Sequence, residues 1–167
     1  MFNKIAFAAA LVIASSAAIA ADSPYYVGAD IGTTKGEGSS DRESGYGAFA
    51  GYQFTKHIAV EAGLRRLGDE KETIGGVTGN VRVNQLSVSA VGTLPLSNGF
   101  SVFGRLGANR LSIKGNVGPN SFKDSDTKAL YGAGVAYSFS PAVSARLEIQ
   151  KPMSDLTNLS LGVSYKF

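Results

Sequence analysis

The final nine residues, Leu159-Ser160-Leu161-Gly162-Val163-Ser164-Tyr165-Lys166-Phe167, alternate without a break between apolar side chains and small or polar ones. A helix would scatter the five apolar residues around its axis. An extended strand places them all on one face, with Ser160, Gly162, Ser164 and Lys166 on the other. The same two-residue period recurs upstream. Tyr25, Val27, Ala29 and Ile31 form one row, and Ala48, Ala50, Tyr52 and Phe54 a second. Ile58, Val60, Ala62 and Leu64 follow, then Leu86, Val88 and Ala90, then Val102, Gly104, Leu106 and Ala108. Tyr131 to Phe139 and Val143 to Ile149 complete the set. Eight strands of about 10 residues are predicted, a length that crosses a bilayer when tilted. Within the fourth, Val81 and Val83 fall in the opposite phase to Leu86.

The links between strands set the topology. Thr55-Lys56, Leu96-Ser97-Asn98-Gly99 and Ser140-Pro141 are short, and they follow strands two, four and six. The links after strands one, three, five and seven read as longer, polar and glycine-rich, as in Lys35 to Ser44, Gly68 to Asn80 and Lys114 to Lys128. Tight turns at one end and loops at the other predict an all-β fold, an eight-stranded antiparallel up-and-down barrel. Both termini sit at the tight-turn end, and closure removes unpaired edges. The barrel occupies residues 22–167. Before it, Met1 to Lys4 give a positive start, Ile5 to Ile13 an apolar run, and Ala18-Ile19-Ala20 a small-x-small cleavage pattern. Residues 1–21 are therefore expected to be a cleaved export signal, too short to span a membrane as a helix.

Composition narrows the function further. The 167 residues include no cysteine, which excludes disulfides, thiolate metal sites and a cysteine nucleophile. The net charge of +3 is scattered along the chain rather than gathered into a nucleic-acid-binding patch.

Which face points outward decides the compartment. The polar face carries Asp30, Glu61, Arg65, Arg105, Arg146, Glu148 and Lys166, charges of both signs that can pair across a narrow lumen. It also carries Gly28, Gly32, Gly51 and Gly134 among other glycines, which leave room for long side chains inside eight strands. The apolar face places aromatics near the tight-turn end: Tyr25, Tyr52, Phe54, Phe100, Tyr137, Phe139, Tyr165 and Phe167. Tyr46 and Tyr131 stand at the other end. Rings in two bands are suited to lipid interfaces. Arg or Lys at a bilayer midplane costs about 2–4 kcal/mol, so the charged face is expected to be the lumen and the apolar face to meet lipid.

Four blocks carry a resemblance to a known family. Tyr25-Tyr26-Val27-Gly28-Ala29-Asp30-Ile31-Gly32, Gly47 to Gln53, Arg146 to Gln150 and Leu159 to Phe167 resemble the transmembrane barrel of the outer-membrane protein A family. The resemblance covers residues 22–167. It implies an outer-membrane location in a Gram-negative bacterium. It also implies a C-terminal row, Leu161, Val163, Tyr165 and Phe167, read by the barrel-assembly machinery. Larger members carry a periplasmic peptidoglycan-binding domain after the last strand, and anchoring to the cell wall is not expected from a chain ending at Phe167. The family's lumen charges are matched at Glu61, Arg105 and Arg146, whereas positions near Val91 and Ala136 are apolar here.

The leading expectation is a structural and surface-interaction protein that displays four loops around a lumen plugged by charged pairs. Arg42 and Glu43, Arg66 to Glu72, and Asn116 to Asp126 are candidate surface contacts. The expected partners are outer-membrane lipid, lipopolysaccharide and host or surface ligands, with the barrel itself a monomer. A low-conductance pore is the alternative. A lipid-modifying enzyme ranks third, because the sole histidine, His57, falls beside a tight turn with no evident partner. No cofactor or metal is expected: Asp69, Glu70 and Glu72, and Asp124 with Asp126, lack the spacing of a calcium loop.

Overall fold

A computed structural model describes residues 23–38, 42–74, 77–117 and 120–167. The segment expected to be the export signal lies outside the described residues. The rest forms eight strands: β1 (Tyr25–Gly36), β2 (Glu43–Gln53), β3 (Ile58–Ile74), β4 (Val77–Pro95), β5 (Phe100–Val117), β6 (Asn120–Ser138), β7 (Val143–Met153) and β8 (Leu156–Lys166). Each strand pairs antiparallel with its neighbours in sequence, and β8 pairs with β1 to close the barrel. The closing seam runs from Tyr26 opposite Lys166 to Gly36 opposite Leu156. At its tight-turn end Phe167 donates its N–H to the Tyr25 carbonyl.

Burial is inverted relative to a water-soluble barrel. Asp30, Glu61, Arg105 and Glu148 are buried, and Glu148 is only 1% exposed. Ile31, Leu64, Leu106 and Leu161 are exposed, with Leu106 at 68%. An apolar belt this extensive is stable only against an apolar solvent.

Local chemistry explains the tight turns. Between β4 and β5, Asn98 and Gly99 both take positive φ, of 58° and 80°, and the Phe100 N–H reaches the Ser97 carbonyl at 3.2 Å. This is the primed two-residue turn whose twist suits a hairpin, and Asn-Gly is its preferred pair. The β2–β3 and β6–β7 turns share another device. Thr55 Oγ1 accepts from the N–H groups of His57 and Ile58, and Ser140 Oγ accepts from those of Ala142 and Val143.

The opposite end departs from the sequence expectation. The segments expected as loops, Gly68 to Asn80 and Lys114 to Lys128, are largely strand: β3 runs to Ile74 and β4 starts at Val77, while β5 runs to Val117 and β6 starts at Asn120. β3 to β6 therefore contain 17, 19, 18 and 19 residues, well beyond the 9–11 that cross a bilayer. β2 accompanies β3 only as far as Arg66, opposite Tyr46, and β7 accompanies β6 only from Tyr131, opposite Lys151. Beyond those points β3, β4, β5 and β6 continue as a four-stranded sheet above the barrel wall. A bulge between Arg66 and Gly68 marks the departure. The β7–β8 link, expected to be long, is a tight turn with Met153 opposite Leu156. The physical reason is solvation. On β6 the residues from Asp126 to Ala129 are exposed on both faces, and a strand wetted on both sides needs no apolar period, so polar residues there read as loop although they pair as strand. β4 runs unbroken through Val81, and Val83 shares the phase of the inward Gln85.

Candidate functional site: the barrel lumen

Alternation directs one row of every strand inward, and the inward side chains meet in layers. At the tight-turn end lies an open vestibule of about 290 Å³, lined by Gln53, Ser101, Ser138, Ser144, Ser164 and Lys166 among others. Lys166 Nζ donates to Gln53 Oε1 at 3.0 Å, so its partner is an amide where a carboxylate was expected.

Above the vestibule sits a compact network. Arg105, on β5, donates through Nε to Glu148 Oε1 at 2.6 Å and through Nη2 to Glu61 Oε2 at 2.5 Å. Its Nη1 donates to Ser89 Oγ at 2.7 Å. Arg146, on β7, donates to the other Glu61 oxygen at 2.8 Å, and the Tyr26 hydroxyl donates to that same oxygen at 2.8 Å. β1, β3, β4, β5 and β7 are thereby tied across the lumen by charge-assisted hydrogen bonds. A second layer follows toward the far end. Arg65 grips Asp30 with two parallel bonds, Nε to Oδ1 at 3.0 Å and Nη2 to Oδ2 at 2.8 Å. Its Nη1 also donates to Asn158 Oδ1 at 3.0 Å. Three guanidinium groups thus face three carboxylates, and the core of the network is electrically balanced. The space left among Asp30, Arg65, Gln85, Arg105 and Arg146 is about 20 Å³, room for about one water. Beyond it, Leu67, Leu111 and Leu130 occupy inward positions and are buried.

The sequence reading missed three inward aromatics, Tyr26, Phe49 and Phe103. Each lies opposite a glycine on the neighbouring strand: Tyr26 faces Gly51, Phe49 faces Gly28, and Phe103 faces Gly134. A Cβ at any of the three glycines would strike the facing ring. The rings therefore lie flat over bare backbone, and they fill the lumen beside the charges. The Arg146 guanidinium stands 3.5 Å from the Phe49 ring centre, a cation–π contact. The available signal was an aromatic in the polar phase of its strand, paired by register with glycine. Val91 packs with Ala59 and Phe103, and Ala136 packs against that cluster, so the apolar lumen positions serve to seat Phe103.

Outside, the rim aromatics form short ladders. Tyr25, Tyr52 and Phe54 stack edge-to-face at 5.0 and 4.8 Å, while Phe100 meets Tyr137 at a tilt at 4.8 Å and Tyr137 meets Phe139 edge-to-face at 5.0 Å. Tyr165 and Phe167 pair at 5.4 Å. His57 is exposed, with Nδ1 3.1 Å from the Thr93 carbonyl. Among the described residues no cluster of His, Asp and Glu is arranged to hold a metal.

Comparison with known proteins agrees with this architecture. Outer membrane protein A of Shigella flexneri is 30% identical over 196 aligned residues, which cover 99% of this chain and 56% of that protein. The protein of the same name from Serratia marcescens is 27% identical over 202. The chain spans about half the length of these curated relatives. Neisserial surface protein A superposes with a TM-score of 0.65 at 18% identity, covering 87% of this chain and 98% of that one. The N-terminal barrel of Pseudomonas aeruginosa OprF gives 0.64 at 17%, covering 87% and 100%. Ail, the attachment invasion locus protein of Yersinia pestis, crystallised with the heparin analogue sucrose octasulfate, gives 0.58 at 20%, covering 86% and 96%. Residues 5–167 match the family described as the outer membrane protein beta-barrel domain, and the chain belongs to that family as a protein of the outer membrane.

Proposed function

We propose that the protein is a closed structural barrel that presents a β-sheet extension to the cell exterior, and that it neither conducts ions at a useful rate nor catalyses a reaction. The observation carrying this reading is the charge-balanced network of Arg105, Glu61, Glu148 and Arg146, which separates the vestibule from a water-sized void on its other side. Such a core joins five strands and obstructs the lumen at once. The extension of β3 to β6 is the display element. Its partners are surface ligands and lipids, as the binding of a heparin analogue by the structurally similar Ail suggests for one such barrel. Residues 1–21 act as the export signal, and the outward row Leu161, Val163, Tyr165 and Phe167 serves the assembly machinery.

Planar-bilayer recording tests the closed lumen. The expected trace carries no discrete steps at either polarity. Sustained steps in the parent that change size in Arg146→Ala, at the floor of the vestibule, would make the protein a pore.

A further inference from the structure

The vestibule of about 290 Å³ ends at the salt-bridge network and opens on the face away from the sheet extension. It is therefore a cup, and its two walls differ in kind. β3 to β6 supply Ala59, Val91, Phe103 and Ala136, an apolar wall whose first three members are buried against one another. β2, β7 and β8 supply Gln53, Ser144, Ser164 and Lys166.

Lys166 is the charge that this end of the lumen leaves over. Arg65, Arg105 and Arg146 are matched by Asp30, Glu61 and Glu148. Among the described residues Lys166 reaches only the Gln53 amide oxygen, at 3.0 Å. The carboxylate that lines the same cup, Glu61, already accepts from Arg105, Arg146 and the Tyr26 hydroxyl. The rim adds no counter-charge: the turns Thr55 to His57, Leu96 to Gly99 and Ser140 to Ala142 contain no acidic residue. An ammonium carries three donors, and Lys166 uses one on Gln53. Ser144 and Ser164 share one hydrogen bond at 2.7 Å, which leaves one of their two hydroxyl hydrogens to be donated elsewhere. Unmatched positive charge and free donors thus share one cavity with a hydrocarbon wall.

We infer that the vestibule binds a small organic monocarboxylate. Its carboxylate accepts from Lys166 and from the Ser144–Ser164 pair, and its short apolar body lies against Val91 and Phe103. Volume limits that body. Small-molecule sites run from about 300 to 1,000 Å³. A cup of about 290 Å³ takes a single ring or a short chain and is too small for a nucleotide or an oligosaccharide. Chemistry selects the anion. Inorganic phosphate would turn its remaining oxygens toward the apolar wall without hydrogen bonds, at a desolvation cost. A neutral ring would forgo the charge-assisted bond to Lys166, worth roughly tenfold in affinity.

The probe is para-fluorobenzoate, titrated onto protein isolated folded from outer membranes and placed in phosphatidylcholine nanodiscs. Fluorine NMR linewidth is the readout, with protein-free nanodiscs as the blank. The parent broadens the resonance saturably above the blank. Lys166→Met, which removes only the amine at an open mouth, binds roughly tenfold more weakly. Ala136→Leu, which fills part of the cup without touching a charge, also weakens binding. On the parent, neutral para-fluorobenzamide binds roughly tenfold more weakly than the acid. Acetate, which has the charge without the ring, displaces the probe far less readily than unlabelled benzoate does. A parent no different from the blank overturns the proposal, as does Lys166→Met or Ala136→Leu binding like the parent. Equal binding of the amide would remove the role of Lys166, and equal displacement by acetate that of the apolar wall; either result refutes the site. If a variant loses its compact unboiled form on a detergent gel, the amide and acetate arms on the parent decide.

Discussion

Arg105 makes four hydrogen bonds in the lumen, to Glu148 twice, to Glu61 and to Ser89. Its removal leaves two buried carboxylates, Glu61 and Glu148, to share Arg146. Breaking a buried pair by deleting one partner destabilises by about 3–5 kcal/mol, and Arg105→Met is expected to fall in that range by urea unfolding in liposomes. Lys166→Met is the contrast. Its amine meets only an amide at an open vestibule, so a loss under about 1 kcal/mol is expected. The glycine–aromatic pairs make an independent prediction. A methyl at Gly28 would strike both the Phe49 ring and the Val163 carbonyl. Gly28→Ala is therefore expected to cost about 1–3 kcal/mol through overpacking, and to shift Phe49 away from Arg146. Unfolding free energy measures the first effect. A full-strength parent-like value would show that the ring has room to move.

At the level of elements, legibility in the sequence tracked the solvent on each face. The rows ending in Ile31, Leu64 and Leu161 were readable because lipid on one side and charge on the other enforce a period of two. The turn at Asn98-Gly99 was readable because two adjacent positive φ angles demand those residues. The extension of β3 to β6 was not, because its sequence carries no sustained apolar alternation. The lumen partners were only partly legible. Arg65 with Asp30 follows from phase, whereas Tyr26 over Gly51 and the shared grip on Glu61 depend on register, which one strand alone cannot display. The extension also makes a prediction. Because β2 and β7 have already parted from it, replacing residues 70–81 by an Asn-Gly turn between Asp69 and Arg82 should leave the barrel folded. Retention of a compact unboiled form on a detergent gel is the expected result, and its loss would mean that the barrel depends on the extended sheet.

The whole molecule is organised by one inversion: a polar, balanced interior inside an apolar wall. Asp30, Glu61 and Glu148 are hidden while Ile31, Leu106 and Leu161 are displayed, and membrane insertion makes that arrangement favourable. The asymmetry of the two rims then fixes how the barrel sits, with aromatic ladders at the tight-turn face and the sheet extension at the other. The absence of cysteine allows a clean test. Single cysteines placed in turn at Ser160, Leu161, Gly162 and Val163, spin-labelled in the folded protein in liposomes, report contact with lipid-dissolved oxygen against a water-soluble paramagnetic complex. Strict alternation is expected, with labels at Leu161 and Val163 accessible to oxygen and those at Ser160 and Gly162 shielded from it. Equal accessibility at all four, or the reverse alternation, would contradict it.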